Sequence, residues 1–261
     1  MCFAFDAHPP ELPADLAHAP LAGGAGAELL ELTSADGTRF SAALAEAAEG
    51  SDPGVVILPD VRGLYRFYVE LAERFAQAGH HAIAIDYFGR TAGTGERGEE
   101  FEFMPHVQQT RVQTVQLDIA AALDALRERT GARGAVTVGF CFGGSQSFAA
   151  ATSSELGLVA AVGFYGRLVP AREGAPAPLE HAAQTRCPVL GLFGGADQAI
   201  PADQVEAFDR GLDEAGVEHE IVSYPGAPHS FFDRAQAEHA EASQDAWRRV
   251  LGFLETVAAP A

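Results

Sequence analysis

The sequence contains no lysine and no asparagine, and only three cysteines among its 261 residues. All 17 of its basic side chains are therefore arginines. Without a side-chain amine, Schiff-base catalysis has no nucleophile and a phosphate-cradling P-loop lacks its lysine. Cys2, Cys141 and Cys187 are too few and too scattered for a disulfide framework. No apolar run approaches the ~20 residues needed to span a bilayer. No basic residue precedes Arg39, so the start lacks the charged segment of a secretory leader. Positive charge is itself scarce: 36 acidic residues outweigh the arginines and leave a net charge of −19. A chain this acidic, with no basic stripe, repels a nucleic-acid backbone. Together these absences predict a reduced, cytoplasmic protein that binds neither nucleic acid nor membrane.

At 48% hydrophobic and 20% charged residues the composition is that of an ordinary globular protein. A chain of about 250 residues commonly forms one α/β domain. Residues 1–26, rich in Ala, Pro and Gly and without a period, read as an extended arm. Residues 27–261 read as a single domain. It opens with two strands around the turn Ala35-Asp36-Gly37, which predicts a β-hairpin. Short apolar strands then follow at 55–58, 81–85, 135–140, 159–164, 189–193 and 218–224. Between them the 3.6-residue pattern predicts helices at 65–78, 105–130, 145–155 and 202–215, with a last one at 242–257. This alternation implies an α/β fold, a mostly parallel sheet covered on both faces. Such sheets carry their chemistry at the C-terminal ends of the strands.

One strand end is distinctive. Val138-Gly139-Phe140-Cys141-Phe142-Gly143-Gly144 has the spacing glycine, any residue, nucleophile, any residue, glycine between an apolar strand and a helix. A sharp strand–turn–helix strains the central residue, and the flanking glycines let neighbouring backbone pass closely. A sulfur there would sit at a helix N-terminus, whose dipole favours the thiolate. The Phe142 N–H would point at a developing oxyanion. Taken alone, Cys141 reads equally as a buried structural residue. Two later strand ends change that balance. Gly194-Gly195-Ala196-Asp197 follows one strand, and Ala227-Pro228-His229-Ser230-Phe231-Phe232 follows the next. Nucleophile, acid and histidine thus come in the order that an elbow-bearing α/β sheet uses. In that arrangement His229 moves protons while Asp197 fixes its tautomer.

These segments resemble the dienelactone hydrolase family, within the α/β-hydrolases, over nearly the whole chain. The resemblance implies a carboxylic-ester or lactone hydrolase with a Cys141–Asp197–His229 triad and no metal or organic cofactor. It implies a small-molecule substrate that can carry a carboxylate, and a monomer or small homo-oligomer. It makes the Val61 and Phe142 amides the oxyanion donors. In Leu58-Pro59-Asp60-Val61-Arg62-Gly63, Asp60 stands where the family carries a thiol-pairing Glu. The family's substrate-binding arginines point to Arg90, in Asp86-Tyr87-Phe88-Gly89-Arg90, with Tyr87 beside it. They point also to Arg234, one position past the expected place, which holds Asp233. Arg62 either replaces the displaced arginine or pairs with Asp60. Cys2, Cys187, His80, His81, Ser145, Ser147 and Trp247 read as structural. The acidic run at 96–102 reads as a solvated loop or a cover over the substrate. Two further readings stay open: a broad carboxylesterase with no need for a substrate carboxylate, and a ligand-binding protein on a decayed hydrolase fold.

Overall fold

The computed structural model describes residues 6–16, 26–50 and 52–258. Cys2 and most of the arm lie outside these residues. The chain forms eight strands: β1 (Glu28–Thr33), β2 (Arg39–Ala45), β3 (Gly54–Leu58), β4 (Ala82–Ile85), β5 (Ala135–Phe140), β6 (Ala160–Phe164), β7 (Val189–Gly194) and β8 (His219–Tyr224). The helices are α1 (Arg66–Gln77), α2 (Gly89–Ala92), α3 (Phe103–Gln109), α4 (Val112–Thr130), α5 (Phe142–Ala150), α6 (Ala202–Glu214) and α7 (Ala240–Thr256).

All strands join one sheet in the order β1-β2-β4-β3-β5-β6-β7-β8. The hairpin β1–β2 is antiparallel and joins β4 antiparallel; every pairing from β4 through β8 is parallel. The central strands β3, β4, β5, β6 and β7 are buried along their whole length, as their unbroken apolar runs require. The result is the α/β-hydrolase architecture, with an apolar cluster on each face of the sheet. One cluster holds α1 and α7 with Phe75 and Trp247; the other holds α4 with Ile119 and Leu123.

Two predicted helices differ, and the one expected over 145–155 is α5, which starts at Phe142 and ends at Ala150. The single helix expected over 105–130 is two helices, broken at Thr110 and Arg111, which have extended backbone. The Thr110 hydroxyl donates to the His106 carbonyl, and the Thr114 hydroxyl to that of Arg111. Such local side-chain bonds compete with the helical ladder and end α3. The described part of the arm lies over α1 and α7, where the Trp247 indole N–H donates to the Pro10 carbonyl at 3.2 Å. Leu12 of the arm joins the main apolar cluster. Among the described residues no helix is long and apolar enough to cross a membrane.

Candidate active site

The β5–α5 junction is as tight as the glycine spacing implies. Cys141 holds φ 53° and ψ −109°, a left-handed backbone that costs a residue with a Cβ of order 1–3 kcal/mol. A Cβ on Gly139 would overlap the Gly143 carbonyl, and one on Gly143 the carbonyls of Leu58 and Pro59. Glycine at both positions lets α5 start against the ends of β5 and β3. Two other non-glycine residues take a positive φ, Tyr165 after β6 and Ser230 after His229. Among the described residues these three are the only such cases, and all sit at one end of the sheet.

The ends of β7 and β8 are laced together. Gly195 and Ala196 donate backbone bonds to Tyr224 and Ala227, and a Cβ on Gly194 would meet the carbonyls of Ala227 and Pro228. This close approach brings His229 Nδ1 to 2.6 Å from Asp197 Oδ2. The other Asp197 oxygen accepts the Ala199 N–H at 2.8 Å, which fixes the carboxylate. An ionised Asp197 makes Nδ1 the donor and leaves Nε2 as the basic nitrogen. Ring packing of Tyr165 on the imidazole, with centroids 5.0 Å apart, holds the histidine from its other side.

Cys141 and His229 line the same cavity, of about 310 Å³, together with Val61, Phe142, Ser145 and Tyr165. The rest of its wall is mainly apolar, from Met104 and Val107 of α3 and from Val169, Pro176 and Ile200. Phe142 opens α5, so its N–H has no intrahelical acceptor. No hydrogen bond engages the Val61 N–H among the described residues. Val61 and Phe142 thus line one cavity with Cys141, and neither N–H is engaged among the described residues. A larger groove of about 650 Å³ lies behind residues 170–177, but neither Cys141 nor His229 lines it. Cys187 is buried, which pushes its thiol up to about 12 and keeps it protonated.

Asp60 and the four expected substrate-binding residues are absent from the cavity wall. Asp60 is fully buried, and its carboxylate accepts bonds from the Arg62 backbone N–H (2.7 Å), the Arg62 guanidinium and the Tyr68 hydroxyl (3.0 Å). Its short side chain bonds back onto its own loop, an Asx turn that shapes the segment carrying Val61. Arg62 takes the ion-pair alternative, lying 3.0 Å from Asp60 and over the Tyr65 ring. Arg90 points to the opposite cluster, where Asp118 (2.7 Å) and Asp36 (2.8 Å) clasp it. Tyr87 is buried; its hydroxyl donates to the Pro59 carbonyl and its ring packs edge-on against Phe142. Arg234 is exposed and is not among the residues that line the cavity. The wall instead carries Arg167 and Arg172 from the loop after β6, which sequence reasoning missed. The signal was available, since Arg167 follows a parallel strand end by three residues. The run at 96–102 is pinned by the buried Arg97–Asp86 ion pair and by stacking of Phe101 on His106. Its place against the cavity is taken by α3.

Among the described residues, Asp209, Asp213 and His219 form the one cluster with metal-ligand spacing. It lies on α6 and β8, away from the cavity, and His219 is already bonded to Asp209 and to the Val217 carbonyl.

Known proteins resemble this chain in sequence and fold. The model of the dienelactone hydrolase family matches residues 40–258. The chain belongs to the dienelactone hydrolase family. A Yersinia pestis relative named "Putative carboxymethylenebutenolidase" is 31% identical over 211 residues, covering 78% of each chain. A Synechocystis relative of the same name is 30% identical over 223 residues, 80% of this chain and 88% of the other. A crystal structure from Klebsiella pneumoniae, titled as a dienelactone hydrolase of putative standing, superposes with a TM-score of 0.75 at 29% identity. The match covers 87% of this chain and 99% of that one. Membership in this dienelactone hydrolase family makes the chain a hydrolase of ester or lactone bonds.

Proposed function

We propose that the chain hydrolyses a carboxylic ester or lactone through Cys141 and a thioester intermediate. The observation that carries the reading is the strained Cys141 at the head of α5, in one cavity with an imidazole held by Asp197. The Cys141 sulfur attacks the carbonyl carbon, and the carbonyl oxygen takes the negative charge between the Val61 and Phe142 N–H groups. The carbon–oxygen bond then breaks, and protonated His229 gives its proton to the leaving alkoxide. Water next attacks the thioester, loses its proton to His229 and expels the thiolate, which frees the acid. In a lactone the leaving oxygen stays tethered, so one cycle opens the ring. Neither stage calls on a cofactor, and an unblocked thiol suits a reducing cytoplasm.

Cys141→Ala is expected to abolish turnover of an activated aryl ester while leaving the melting temperature within a few degrees. Mass spectrometry of the wild type, quenched early, should show one acyl adduct on Cys141. Undiminished turnover by the alanine variant would falsify the thioester route.

A further inference from the structure

Asp233 stands where the family resemblance leads to an arginine, yet its carboxyl turns inward and the residue is 2% exposed. Its Oδ2 accepts the Tyr165 hydroxyl at 2.7 Å, and its Oδ1 accepts the Arg234 backbone N–H. Its own N–H donates to the Ser230 carbonyl at 3.2 Å. The carboxyl thus belongs to the loop that carries His229 but bonds to a tyrosine that follows β6. It takes no part in the ester chemistry above, and a polar group buried this deeply has a cost that some other role must offset.

The hydrogen bond from Nδ1 to Asp197 fixes one atom of the imidazole and leaves the ring able to turn about that bond. The plane of the ring is set by what packs on its face. Tyr165 does so, with centroids 5.0 Å apart and planes at 57°. Tyr165 is fastened at both ends, since its N–H donates to the Leu192 carbonyl at 2.7 Å and its hydroxyl to Asp233. Phe231 packs edge-on against the same ring at 5.6 Å. Contacts therefore run from the imidazole to Tyr165, on to Asp233, back to Ser230 and along the chain to His229. Tyr165 and Ser230, two of the left-handed residues other than glycine, both lie in this circuit. Such backbone persists only where its surroundings over-determine it. Burial holds the Asp233 carboxyl well above the usual carboxylate range, so it adds no second negative charge to compete with Asp197.

We propose that Asp233 is a positioning residue of the triad. Through the Tyr165 hydroxyl it fixes the plane of the His229 imidazole, with Nδ1 on Asp197 and Nε2 turned to the cavity that Cys141 shares. This inference rests on the hydrolase reading, in which that nitrogen moves the protons, but its test separates the two.

Tyr165→Phe keeps the ring and removes the hydroxyl. Asp233→Asn keeps a donor and an acceptor in the same places, as a protonated acid does. With an activated aryl ester, Tyr165→Phe should lower kcat about tenfold and leave KM unchanged, because a misplaced base slows both chemical stages. Asp233→Asn should keep the wild-type kcat. Nitrogen NMR of isotope-labelled histidine reads the same ring without turnover. It is recorded at about pH 8, above the ordinary histidine range, in a Cys141→Ala background where no thiolate holds the ring protonated. His229 is assigned by its loss in His229→Gln. The parent and Asp233→Asn should show one tautomer, protonated at Nδ1, and Tyr165→Phe a mixture of two. Unchanged kcat and tautomer in Tyr165→Phe overturn the assignment, as does an Asp233→Asn variant impaired as deeply as Tyr165→Phe. A kcat that falls while the tautomer holds overturns it too, because the hydroxyl then acts by another route. If the wild type cleaves no ester, the hydrolase reading fails and the tautomer alone decides the role of Asp233.

Discussion

The Asp233 carboxyl is buried beneath the histidine loop, where it accepts the Tyr165 hydroxyl at 2.7 Å and the Arg234 backbone N–H. Burial pushes its pKa well above the usual carboxylate range. From about pH 4 upward the unfolded chain releases this proton while the folded chain keeps it, so folding stability falls as pH rises through that window. Asp233→Asn removes the titration but keeps a side chain of the same size. The variant should be less stable than the wild type near pH 4, and the deficit should shrink towards pH 8. Thermal melts across that range check it; a gap of constant size would mean that Asp233 folds ionised. Individual residues were legible where chemistry imposes a spacing. Cys141 announced itself because a strained elbow needs glycine on either side, and Asp197 and His229 because both directly follow a strand end. The arginines were not legible. Every Arg looks alike in a sequence, and only the fold shows that Arg90 faces Asp118 while Arg167 faces no carboxylate.

At the scale of elements, α2 is a short helix anchored by one side chain. Arg90 reaches from it to Asp36 in the β1–β2 turn and to the fully buried Asp118 on α4. These two ion pairs join three elements, and the Arg90 guanidinium draws the Asp36 carboxyl down to about 2. Arg90→Ala would leave Asp118 buried with only the Ser34 hydroxyl to bond. Loss of one partner from a buried pair costs about 3–5 kcal/mol, and Ser34 keeps the figure near the lower bound. Denaturant unfolding should show that loss, while kcat for an activated aryl ester stays near the wild-type value. A fall in turnover with no loss of stability would place Arg90 at the substrate instead. Strands were read within a residue or two because their runs are wholly apolar and short. The break between α3 and α4 was missed because it rests on threonine hydroxyls bonding locally, which leaves no mark on the apolar period.

At the scale of the whole molecule, the described residues 6–16 of the arm pack onto the body of the fold. Pro9, Pro10, Leu12 and Pro13 are buried, Gln244 bonds to the Glu11 carbonyl, and Arg248 pairs with Asp15. The arm covers Trp247, the sole tryptophan, which is 1% exposed. Removal of residues 1–16 should lower the melting temperature by several degrees and shift tryptophan emission to the red. An unshifted spectrum would show that α1 and α7 seal the indole without help. A consequence for synthesis follows from the sheet order. Val61, the proposed oxyanion donor, leaves the ribosome first, Cys141 next, then Asp197, and His229 last of the four. β6 must also be in place between β5 and β7 before these groups can meet. On the proposed chemistry, the nascent protein carries its sulfur without a base until β8 docks and brings in the His229 that follows it.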